Sequence, residues 1–139
     1  MFGDRRTYRD LLTNSLEGIA TNILGSRLKV LVGQGFLMSE TDPAHKQRTV
    51  YSLTEKAIAL LPAMVALGAW GRQFMSVTPE LAIRIQVLEE GGRKIQEVFM
   101  DELRERHLGI PNNRTGLLVS TQLQNAFDGL IAMQSNDET

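Results

Sequence analysis

Two short amphipathic segments, a β-hairpin with a basic tip and a series of later helical segments predict a mainly α-helical fold with a small β-hairpin wing. That order is a winged helix-turn-helix domain carrying a C-terminal helical extension. The chain has 139 residues, 42% of them hydrophobic and 22% charged. One core of that size supports itself, because domains cluster near roughly 100–150 residues. The expected division is 1–75 for the winged helix-turn-helix, including a long helix over 54–75, and 76–139 for the extension.

Thr7 to Asn14 carries Tyr8, Leu11 and Leu12 at helical spacing, and Glu17-Gly18 reads as a turn. From Thr21 to Gln34, Leu24, Leu28 and Leu31 fall on one face of a 3.6-residue period, and Gly35 is placed to end the helix in a left-handed cap. Phe36 to Glu40 reads as a strand, Asp42-Pro43-Ala44-His45 as a turn and Arg48 to Leu53 as the returning strand, with β-branched and aromatic residues. Thr54 is a good N-cap, and Glu55 in the first turn suits the helix macrodipole. Pro62 lies past that first turn, so it is expected to bend the long helix rather than end it. Thr78-Pro79 opens a further helix bearing Leu81, Ile85 and Leu88, and Gly91-Gly92 ends or kinks it. Arg93 to His107 is amphipathic, 109–113 is a loop, and Val119, Leu123, Phe127, Leu130 and Ile131 mark a last helix before a polar tail from Gln134.

The absence of cysteine excludes a disulfide framework, a thiolate zinc site and a cysteine nucleophile. No leader-like start opens the chain and no apolar stretch is expected to span a bilayer, which gives a cytoplasmic address and no membrane partner. His45 and His107 lack partners at metal-ligand spacing and are expected at the surface, so no metal site and no cofactor is expected. The serines sit in no nucleophile-elbow context, and Glu89-Glu90 and Asp101-Glu102 read as solvated helix faces. No catalytic constellation is present, and the chain is expected not to be an enzyme. The formal net charge of -1 conceals an asymmetry: eight bases face six acids up to Lys56, leaving seven bases against ten acids beyond it.

With Leu24, Leu28 and Leu31 turned to the core, Asn22, Ser26 and Lys29 fall on the opposite side of their helix, with Thr21 and Gly25 beside them. Small and hydrogen-bonding residues on an outward helix face suit the base edges of a major groove, and a basic hairpin tip suits the flanking backbone. Arg27 lies nearer the core edge, where a salt bridge, a packed stem and a phosphate contact compete. Arg5, Arg6 and Arg9 are candidate phosphate contacts, with plain solvation as the alternative. On the long helix Ile58, Leu60, Leu61, Met64, Val65, Leu67, Trp70 and Phe74 cover more than one stripe. One protomer cannot bury them all, so a homodimer is expected, with Leu61, Val65, Trp70 and Phe74 in its interface.

The stretch from Glu17-Gly18-Ile19 to Leu31, then Gly35-Phe36-Leu37, Asp42-Pro43-Ala44-His45, Val50-Tyr51-Ser52-Leu53-Thr54-Glu55-Lys56 and Trp70-Gly71, resembles the HxlR-type winged helix-turn-helix regulators. The resemblance implies a homodimeric regulator binding double-stranded DNA, with the helix bearing Thr21, Asn22, Ser26 and Lys29 in the major groove and Lys46 and Arg48 on the wing. Members of that family carry about two helices ahead of the position of Phe2, and often a cysteine near the start. This chain is expected to lack both. Three roles are then open to residues 76–139: replacing a core helix, completing the dimer, or lining a pocket for a small-molecule effector. The alternative function is a truncated, non-DNA-binding dimerisation module that modulates a full-length relative.

Overall fold

The structure, a computed structural model, describes residues 1–138. Helices α1 (Tyr8–Thr13) and α2 (Thr21–Gly33) are followed by a two-stranded antiparallel hairpin, β1 (Leu37–Thr41) and β2 (Thr49–Leu53), in which Leu37 pairs with Leu53 and Thr41 with Thr49. A bridge between Thr7 and Val50, and a bond from the Tyr51 amide to the Arg6 carbonyl (2.7 Å), lay the start of the chain along β2. Then come α3 (Glu55–Ile58), α4 (Leu61–Phe74), α5 (Pro79–Leu108) and α6 (Val119–Asp137). The chain is thus a winged helix-turn-helix with C-terminal helices.

The local signals act where expected. Thr7, read from the sequence only as the start of a helical segment, is also its N-cap: the hydroxyl accepts from the Asp10 amide at 3.1 Å. Gly35, at φ 76°, ends α2 in a Schellman arrangement, with the Phe36 amide on the Leu31 carbonyl (2.9 Å) and the Gly35 amide on that of Val32 (3.1 Å). Gly92, at φ 69° and ψ -166°, breaks α5 into two helical halves. Pro62 does more than bend its helix. The turn at Ala59 and Leu60 separates α3 from α4, and Pro62 sits in the first turn of α4, where its missing N–H costs nothing.

The run Glu55–Phe74 has a mean hydropathy of 1.2 and by length and composition alone could cross a membrane, contrary to the expectation that no such stretch exists. Its five alanines raise the mean beyond what the apolar stripe suggests. Only 22% of the run is buried. Its inner side packs on the first half of α5 at close range: a Cβ on Gly68 would lie 2.4 Å from Cγ2 of Ile85.

One hydrophobic cluster crosses residue 75. Leu53, Ala57, Ile58, Leu61 and Val65 meet Leu88, Phe99, Leu103, Val119 and Leu123, and the ring of Phe2 stacks on Phe99 at 6.4 Å. The second half of α5 therefore serves as core helix for the hairpin and α3. Two residues expected at the surface work inside this junction. Glu102 is buried, not a solvated face, and its carboxylate accepts the Val119 and Ser120 amides, capping α6 from another helix. His107 is half-buried, and its Nδ1 accepts the Leu53 amide at 3.1 Å. Asp101 is half-buried and pairs with Arg104 and Arg114.

Candidate nucleic-acid interface

The outward face of α2 is held from both ends. At its start the Tyr8 hydroxyl donates to the Thr21 carbonyl at 2.8 Å, and the Ser15 hydroxyl accepts the Ile19 amide at 3.1 Å. Leu24 and Leu28 are buried and fix its rotation. At its end the Thr54 hydroxyl donates to the Gly35 carbonyl (2.6 Å), and Lys56 Nζ donates to that of Gln34 (2.8 Å) while lying over the Phe36 ring. Thr54 also caps α3 through the Ala57 amide. Thr54 and Lys56 thus tie the tail of α2 to the helix beyond the hairpin, whereas the sequence suggests Thr54 only as a cap and gives Lys56 no such role.

Thr21, Asn22, Gly25, Ser26 and Lys29 are all exposed. A Cβ at Gly25 would meet no atom within 4 Å, so the fold itself does not demand a glycine there. Leu31, expected in the core, is 39% exposed because no element lies over that end of the helix. Arg27 is exposed and makes no ion pair among the described residues.

The hairpin tip is a closed ring of bonds. The Asp42 amide donates to the Arg48 carbonyl (2.8 Å), and the Asp42 carboxylate accepts the Ala44 amide (2.9 Å), Arg48 Nε (2.7 Å) and the Arg48 terminal nitrogen. The Ala44 amide, then the Arg48 guanidinium, hold this carboxyl below the usual aspartate range. Arg48 is therefore committed to the turn. Lys46 and His45 project from it, exposed, and Lys46 has no hydrogen-bond or ion-pair partner among the described residues.

The N-terminal arginines divide in the same way. Arg6 is half-buried, with Nε on the Tyr51 carbonyl (3.1 Å) and a terminal nitrogen on the Ser52 hydroxyl, so it is spent on β2. Arg5 and Arg9 are exposed and unpaired among the described residues. On α4, Leu61 and Val65, expected in a dimer interface, are instead buried inside the protomer against α5. Trp70 and Phe74 are exposed, in ring contact at 5.8 Å, on a face they share with Leu60 and Leu67.

A family model described as HxlR-like helix-turn-helix matches residues 1–79. Comparison with curated proteins and with solved structures returned no match.

Proposed function

Because the chain belongs to the HxlR-like helix-turn-helix family, a family of DNA-binding transcription regulators, we propose that it acts as a homodimer on specific double-stranded sites. In this reading α2 enters the major groove, with Asn22, Ser26 and Lys29 reaching base edges and Thr21 and Gly25 allowing close approach. Lys46 lies on the flanking phosphates, with Arg5 and Arg9 as further backbone contacts. Arg48 and Arg6 act indirectly, by shaping the tip and seating β2. The observation that carries the reading is the outward face of α2: five exposed small or hydrogen-bonding residues on a helix anchored at both ends. Residues 1–75 form the reading module and 76–139 the extension that supports it. A regulator of this kind works beside the chromosome, in the cytoplasm.

The test is binding of the full chain to its own upstream intergenic DNA, against a scrambled duplex of equal length. Asn22→Ala and Ser26→Ala should each lose about 1–3 kcal/mol of discrimination between operator variants, while Lys46→Ala should weaken all sequences alike. Equal affinity for both duplexes would overturn sequence-specific recognition, and binding to neither would favour a dimerisation module without DNA contact.

A further inference from the structure

We propose that the cavity beneath α2 is a binding site for a small apolar monoanion, an aryl or alkyl carboxylate. The cavity has a volume of about 290 Å3. Six leucines line it: Leu11 of α1, Leu24, Leu28 and Leu31 of α2, Leu37 of β1 and Leu53 of β2. A polar edge completes it, with Arg5, Arg6 and Arg27 against the single carboxylate of Asp4.

The charges at that edge are not balanced from within. Asp4 lies 3.3 Å from Arg106 and is already engaged. Arg6 is held by β2, but Arg5 and Arg27 have no carboxylate partner among the described residues. His107, which also lines the cavity, accepts the Leu53 amide and stays neutral near pH 7. An apolar floor facing unpaired guanidinium groups complements a ligand with a hydrocarbon body and one carboxylate, which a guanidinium binds through paired N–H donors. A polycation or a sugar would leave the leucines unmatched, and a neutral hydrocarbon would leave the arginines unmatched.

The lining comes from α1, α2, both strands and, through His107, α5. A ligand there touches α2 together with α1 and both strands of the hairpin, elements whose relative position bears on how α2 meets a groove. The consequence for DNA affinity rests on the proposed DNA-binding function; the site itself does not.

The probe is 2-naphthoate, with the neutral 2-naphthalenemethanol as control, each titrated into the full chain without DNA and followed by naphthalene fluorescence. Naphthoate should bind at least tenfold more tightly than the alcohol. Arg27→Gln should remove that preference and leave the alcohol's affinity unchanged. Leu31→Trp, filling the cavity from a position already 39% exposed, should weaken both at least tenfold. Methyl NMR of the unsubstituted protein gives a reading independent of any variant's folding: shifts confined to Leu24, Leu28 and Leu53 support the site. Shifts centred on Leu60 and Leu67 would place the probe on the open face of α4 and overturn the proposal, as would equal affinities for acid and alcohol. Repeating the titration with operator DNA then reads the regulatory consequence, and failure of DNA binding would leave the naphthoate result standing.

Discussion

Leu53, Thr54, Glu55 and Lys56 are consecutive, and they fasten two parts of the molecule in alternation, α5 and the end of α2. The Leu53 amide reaches His107, Thr54 the Gly35 carbonyl, Glu55 the guanidinium of Arg104 (2.8 Å) and Lys56 the Gln34 carbonyl. The first of these bonds makes folding sensitive to acid. Burial, then the positive charge of Arg6, lowers the His107 pKa to about 4, against roughly 6.5 in the unfolded chain. A protonated Nδ1 could no longer accept the Leu53 amide. The fold therefore favours neutral His107, and this contribution is fully present above pH 6.5 and is lost as pH falls from 6.5 towards 4. Discounted for solvent screening of a half-exposed ring, its size is about 1–2 kcal/mol. The carboxyls of Asp42 and Glu55, lowered by their partners, begin to lose their contributions only at the acid end of that window, Glu55 as pH falls below 4.5 and Asp42 below 3.8. Urea denaturation at pH 7 and pH 4.5 should show the loss, and His107→Gln, whose amide oxygen can still accept from Leu53, should show much less of it. A stability that stays flat in the parent protein over this range would contradict the assignment.

At the scale of elements, the wing is a rigid tip with one projecting cation. Asp42 neutralises Arg48, so counterion release from the hairpin rests on Lys46. At about 0.9 per phosphate, Lys46→Ala should flatten the slope of log K against log salt by about two in a dimer, one from each wing. Arg48→Ala should change the slope less, and should loosen the turn by removing a donor from a buried carboxylate. If Arg48→Ala flattened the slope as much as Lys46→Ala does, the pair would be open on DNA. The same element shows what a sequence reveals. The hairpin, the Thr54 cap, the Gly35 cap and the Gly92 break were legible because their causes lie within a few residues of each effect. The pairing of Arg48 across its own turn also lies within reach of sequence, since Asp42 opens the turn that Arg48 closes. Glu102 and His107 were not legible, because their partners, the start of α6 and the end of β2, are brought to them only by tertiary packing. The same holds for Leu61 and Val65. A stripe pattern counts apolar faces but does not say which face α5 will take.

Across the whole molecule, α5 joins β2, α3 and α4 to α6 in one core, and α2 meets that core only indirectly, through the hairpin and the bonds from Thr54 and Lys56. What that core leaves uncovered is the outer face of α4, where Leu60, Leu67, Trp70 and Phe74 are 42%, 67%, 52% and 65% exposed. Leu60 and Leu67 are two turns apart, and Trp70 and Phe74 continue the line at helical spacing, which makes a seam a second α4 can match. Trp70 and Phe74 already touch, so the pair offers a broad, ordered anchor, and large aromatics dominate contacts of this kind. Sedimentation at micromolar concentration should therefore give a dimer. Trp70→Ala should weaken it by about 2 kcal/mol or more, roughly thirtyfold in Kd, while Gln73→Ala, also exposed on α4, should have little effect. Because Leu61 and Val65 face inward, Val65→Ala should lower folding stability by more than it lowers dimer affinity at matched temperature. A monomer at micromolar concentration, or a Trp70→Ala variant that dimerises as well as the parent, would remove α4 as the interface.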